Sequence, residues 1–134
     1  MTEAMMEVAV VGSHLSGLPL NGELLALGAT LRRAGATRPC YRLYALPGGP
    51  PPRPGLLRVA EGEGVAIAVE VWAVPLAEVG RLLARIPAPL GLGTLLLADG
   101  SAPKGFLVEA EGVRGAEDIS RFGGWRAYLA GEAR

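Results

Sequence analysis

The sequence has one cysteine, one histidine and no excess of either charge, and each shortage removes a class of function. Cys40 alone cannot form an internal disulfide, and it has no neighbouring thiols or imidazoles with which to hold a metal. It reads as a small apolar residue beside a strand, and no metal site is expected. Thirteen basic residues face 13 acidic ones, for a net charge of +0. The arginines (Arg32, Arg33, Arg42, Arg58, Arg85, Arg121) are scattered along the chain. A nucleic-acid backbone calls for a clustered basic footprint, so no nucleic-acid partner is expected. No uninterrupted apolar run approaches the ~20 residues that span a bilayer. Met1–Glu7 lacks the basic start and apolar stretch of a signal peptide. No membrane association is expected, and the cytoplasm is the expected location. Gly12-Ser13 is not followed by the Gly-Lys-Ser/Thr ending of a phosphate-binding loop, nor does Ser13 or Ser16 sit in a Gly-x-Ser-x-Gly elbow. No cofactor is expected.

Apolar side chains are plentiful. Half of the 134 residues are hydrophobic, enough for a core that buries roughly two thirds of the unfolded chain's surface. A single domain over residues 1–134 is expected. Glu7–Gly12 is β-branched, apolar and ends at glycine, which predicts a buried strand. Ser13–Leu20, with Gly17 and Pro19, is a loop. Asn21 then caps a predicted helix whose stripe is Leu24, Leu27, Gly28 and Leu31 and which Gly35 ends. Cys40–Leu46 is strand-like, and the proline- and glycine-rich Pro47–Gly55 is an ordered loop. Leu56–Ala60 and Val65–Val74 read as a hairpin around Glu61–Gly64. Pro75 opens a helix, Leu76–Ile86, with Leu76, Val79, Leu83 and Ile86 inward. Leu92–Ala98 and Lys104–Ala110 form a second hairpin around Asp99-Gly100. A short helix around Trp125–Ala130 closes the chain, anchored by Phe122, Trp125 and Leu129. This order predicts an α+β fold, a small mixed barrel with flanking helices, rather than a doubly wound sheet.

The residues fit for chemistry cluster early. His14 lies in the loop from the first strand to the first helix, where backbone N–H groups and the helix dipole favour an anion. Histidine titrates near neutrality and suits proton transfer. Two readings stay open: an acid–base residue, or a hydrogen-bonded histidine that shapes the loop. Gly12 and Ser13 could offer backbone donors to a carboxylate. Arg42 alternates with Tyr41 along a strand, and its planar fork matches a carboxylate if it faces a pocket. Asn21 and Lys104 are weaker candidates. Glu70 shares a strand face with Ala66 and Ala68 and reads as an exposed carboxylate.

Gly12–Asn21 (GSHLSGLPLN), Tyr41–Gly49 (YRLYALPGG) and Phe122–Leu129 (FGGWRAYL) resemble the C-terminal domain of allophanate hydrolases. Glu70–Pro75, Ile86–Gly91 and Lys104–Phe106 extend the resemblance over about residues 8–130. It implies a fold similar to γ-glutamylcyclotransferases, a small mixed barrel with flanking helices. Those enzymes carry an acid–base glutamate after the helix that follows the long strand. Leu82–Pro87 has no acid there, so cyclotransferase activity is not expected.

The resemblance also implies a role in urea degradation, hastening the decarboxylation of N-carboxycarbamate that an amidase releases. His14 would then be the catalytic acid–base residue, and Gly12, Ser13, Asn21, Tyr41, Arg42 and Lys104 would bind the small carboxylate or carbamate. No Ser–Ser–Lys amidase machinery is present, so a separate amidase is the expected partner, and the chain alone should release no ammonia from allophanate. The competing reading is a non-catalytic module that binds a small carboxylate or helps assemble an amidase complex.

Overall fold

The computed structural model describes residues 3–132. Met5–Val10 (β1), Thr30–Ala36 (β2), Ala68–Pro75 (β5), Leu90–Thr94 (β6) and Lys104–Val108 (β7) form a mixed sheet in the order β2-β5-β1-β7-β6. Only β1 and β7 run parallel in it. Tyr41–Ala45 (β3), Pro54–Arg58 (β4) and Glu117–Asp118 (β8) form a second, antiparallel sheet in the order β4-β3-β8. Three short α-helices, Asn21–Ala26 (α1), Val79–Ala84 (α2) and Trp125–Glu132 (α3), complete an α+β fold.

The core follows from the apolar strands. Val8, Ala9, Val10, Ile67, Val69, Val71 and Val74 are buried together with Leu43 and Leu56 of the second sheet. Strand β5 is buried from Val69 to Pro75, so both of its faces are covered. A barrel was expected, and the strands instead make two sheets without a closed ring. The chain after β6 approaches the far end of β2, where Ala98 N–H donates to Ala36 O (2.9 Å), Arg38 N–H donates to Leu96 O (2.9 Å) and Thr37 and Leu97 form an isolated bridge.

Three expected elements differ. The first helix ends after one short run, and its second half is strand β2. Gly28 adopts a φ of 84°; Gly28 N–H donates to Leu25 O and Ala29 N–H to Leu24 O, the paired bonds with which a left-handed glycine closes a helix. Gly28 therefore does what Gly35 was expected to do. Thr30–Ala36 is an exposed edge strand carrying Arg32 and Arg33, charges that discourage edge-to-edge pairing.

The hairpin expected from Leu56–Ala60 and Val65–Val74 does not form. Strand β4 pairs with β3 and starts inside the proline-rich segment, at Pro54, while β5 pairs with β1 and β2. The segment after Pro75 is a 3-10 turn, Leu76–Glu78, followed by α2. It turns Leu82 inward and leaves Leu76 and Leu83 exposed, while Val79 and Ile86 of the expected stripe pack against the core. The hairpin from β6 to β7 and the Trp125 anchor stand as expected.

Candidate functional site

Strand β1 delivers the chain into a loop that hydrogen bonds to itself at each turn. Leu15 N–H donates to Gly12 O (3.0 Å), Leu18 N–H to Leu15 O (3.0 Å) and Leu20 N–H to Ser13 O (2.9 Å). Asn21 is buried, and its Nδ2 donates to His14 O (2.9 Å). Ser13 is buried too, and its hydroxyl donates to Pro52 O (2.7 Å), tying the proline-rich segment to this loop. Gly12 is needed for that approach: a Cβ there would lie 2.5 Å from Pro54 Cδ.

His14, Gly12 and Ser13 line one cavity with Glu23, Arg53, Arg85 and Phe106 among its other walls. Its water-accessible volume is about 30 Å³, room for roughly two or three water molecules. The His14 side chain is 12% exposed. Its ring lies 4.9 Å, centroid to centroid, from Phe106, and its Nε2 is 2.9 Å from Glu23 Oε1.

A carboxylate can only accept, so Nε2 carries the proton in that pair and Nδ1 is the basic nitrogen of the neutral ring. Burial lowers the His14 pKa below its ordinary value; the hydrogen bond and charge of Glu23 work against that, and the Arg53 charge adds to it. At neutral pH the ring is uncharged, and a bound anion would raise its proton affinity.

Arg53 and Arg85 are the basic residues of this lining, and the charge of Arg53 bears on His14. Among the described residues neither guanidinium has an ion pair or a side-chain hydrogen bond, whereas Arg33, Arg38, Arg42 and Arg126 all have one. Helix α1 spans six residues, too short for its dipole to carry the anion argument.

The other residues singled out from sequence lie elsewhere. Arg42 is engaged by Asp118 Oδ2 (2.6 Å) and Glu63 O (3.1 Å). Tyr41 is fully buried, and its hydroxyl accepts from Leu96 N–H (2.9 Å). Lys104 is exposed and donates to Thr94 Oγ1 (3.0 Å). None of the three lines the His14 cavity, and Asn21 reaches it only through the His14 carbonyl. Glu70, read as an exposed carboxylate, is buried.

Glu23, Arg53 and Arg85 escaped the sequence reading. Glu23 is nine residues from His14 and passes for a favourable helix-start acid, while Arg53 hides in a proline-rich stretch. Among the described residues there is no group of three or more His, Cys, Asp or Glu that could hold a metal ion. None of their helices is long and apolar enough to cross a membrane.

A mixed sheet packed on a small antiparallel one, with a histidine-bearing loop over a cationic cavity, defines a class of small α+β domain. An AIG2-like protein from Mus musculus shares that fold at 20% identity and a TM-score of 0.59 over 81% of this chain and 82% of its own. The family model of the allophanate hydrolase C-terminal domain matches residues 6–130, and the chain belongs to that family. Urea amidolyase of Saccharomyces cerevisiae is 41% identical over 127 residues, covering 92% of this chain and 7% of the relative. The structure of Kluyveromyces lactis allophanate hydrolase superposes with a TM-score of 0.91 at 42% identity, over 95% of this chain and 21% of that one. The chain thus spans a small part of these relatives' length.

Proposed function

We propose that the chain binds a small dicarboxylate-like anion beside His14 and, in allophanate breakdown, speeds the decarboxylation of N-carboxycarbamate produced by an amidase. The observation that carries this reading is the pair of unpartnered guanidinium groups, Arg53 and Arg85, on the wall shared with His14. Guanidinium forks match carboxylates. Arg53, Arg85 and His14 line the same cavity, so a small dianion bound there meets cationic side chains and the imidazole together.

The chemistry needs one proton at one nitrogen. In ⁻O₂C–NH–CO₂⁻ the breaking C–N bond leaves its electron pair on nitrogen while one carboxylate departs as CO₂. Protonated His14 supplies the proton, so the product is carbamate, H₂N–CO₂⁻, and not an amide anion. A second proton then converts carbamate to ammonia and CO₂. The arginines hold the dianion, and its charge makes His14 easier to protonate once the site is filled. Well-placed general acid catalysis is worth ~10²–10⁴-fold.

The test adds the chain to an amidase acting on allophanate and follows CO₂ release. The chain alone should liberate no ammonia, and its addition should accelerate CO₂ loss in a His14-dependent way. Ammonia release from allophanate by the chain alone would overturn the assignment. Saturable malonate binding without acceleration would leave a carboxylate-binding module.

A further inference from the structure

We propose that Glu70 and Arg126 are positioning residues for His14, acting through Ser16 to fix the loop that carries the imidazole. Strand register puts Glu70 there: it lies opposite Val10 across β1 and β5, at the strand end from which the loop departs. Its carboxylate accepts four donors. Oε1 takes Ser16 N–H (2.8 Å) and the Trp72 indole N–H (3.1 Å); Oε2 takes the Ser16 hydroxyl (2.7 Å) and Arg126 Nη2 (3.3 Å). Arg126 reaches over from α3 and donates from the same nitrogen to Ser16 O (2.6 Å) and Oγ (3.2 Å).

Every polar group of Ser16 is thereby taken by these two side chains. Asn21 holds the His14 carbonyl from the other side, and Leu15 between them is buried. The imidazole thus projects from a backbone clamped on both flanks. Burial alone would raise the Glu70 pKa, but the bonds from Ser16, Trp72 and Arg126 outweigh it and hold it below the ordinary carboxylate value. The clamp therefore stays ionised through the neutral range. Neither residue touches the cavity, so their effect on His14 is indirect.

The consequence for turnover rests on the function proposed for His14, but the positioning itself can be measured without ligand. The chain has one histidine, so its ring signals in an NMR titration are unambiguous. The full chain is compared with Arg126→Ala, Glu70→Gln and Arg126→Lys. The first two variants should shift His14 ring resonances and move its titration towards that of an ordinary histidine, because a loosened loop exposes the ring. They should also weaken malonate binding about tenfold or more, as misplaced groups do. Arg126→Lys, which keeps a cationic donor, should restore most of both properties.

A fall in Tm with the His14 titration and malonate affinity unchanged would overturn the proposal. If Glu70→Gln does not fold, Arg126→Ala decides, since Arg126 is an exposed helix residue. Wild-type protein that binds no malonate, with variants that still move the His14 titration, would uphold the clamp and remove the anion reading.

Discussion

Arg42 and Arg53 belong to neighbouring segments of the second sheet, yet their guanidinium groups meet different surroundings. Arg42 lies within β3, and Asp118 from β8 and the Glu63 carbonyl occupy its fork. The hydrogen bond that Arg42 donates to Asp118 is the main reason that its pKa lies above the usual value. Arg53 stands one residue before β4, with its backbone carbonyl bound to Leu46 N–H (3.0 Å) and its side chain, on the cavity wall, without a hydrogen-bond or ion-pair partner among the described residues. The first arginine ties strands together, and the second lies on the wall of the His14 cavity. What separates them is which neighbour arrives from far along the sequence.

The comparison breaks most directly if the two arginines respond alike. Replacing Arg53 and Arg85 together by alanine should reduce malonate affinity about 100-fold or more in isothermal titration, because each charge-assisted bond is worth ~1.5–3 kcal/mol. Arg42→Ala should leave that affinity within about twofold. Equal losses at both places would erase the distinction. His14→Ala should remove the acceleration of CO₂ release, about 10²–10⁴-fold, while lowering stability by ~1–3 kcal/mol, since it removes a largely buried ring that lies against Phe106 and is bonded to Glu23.

Gly12→Ala probes the contact that brings Arg53 to the cavity. With Pro54 Cδ at 2.5 Å, the substitution should cost ~1–3 kcal/mol in chemical denaturation and weaken malonate binding. The smallest effect belongs to Arg42→Ala on stability. Arg42 and Asp118 are each 34% exposed, so the loss should be ~0–1 kcal/mol and should shrink in high salt.

The pH dependence has a definite sign. His14 is harder to protonate folded than unfolded, so the unfolded chain binds more protons in the window from the ordinary histidine value down to the depressed one. Stability should fall as pH drops through that window and should rise again with pH. Glu70, Asp99 and Asp118 have depressed pKa values. Their contributions persist to lower pH and are lost below the ordinary carboxylate range. Denaturant midpoints measured across this span separate the two phases. In His14→Ala the upper phase should vanish, and its survival there would assign it to another group.

Much of the fold was legible because some segments carry their own instructions. The β1 run, the Ser13–Leu20 loop, the β6–β7 hairpin with its Asp-Gly turn and the Trp125 anchor all follow from local pattern. The Asn21–Gly35 helix failed because two glycines offered a stop and periodicity could not say which was used; Gly28, at positive φ, took it. The first hairpin failed because β4 and β5 are both apolar, and strand propensity does not name a partner strand. The site was half legible. His14, Gly12 and Ser13 are adjacent in sequence and meet in one cavity, but Arg53 and Arg85 join them only through the tertiary fold. Glu70 looked exposed because its alternation with two alanines hid a burial made by Trp72, Ser16 and α3. The likeness of whole segments to a known family supplied the architecture that composition and periodicity left open.

Whether His14, Arg53 and Arg85 form one anion site is decided by a single titration, in which His14 ring chemical shifts are followed by NMR across pH with and without malonate. A saturable shift and a His14 pKa raised by malonate are expected, retained in Arg42→Ala and lost in the Arg53→Ala/Arg85→Ala double variant. A titration curve unmoved by malonate in the wild-type chain would contradict a single anion site.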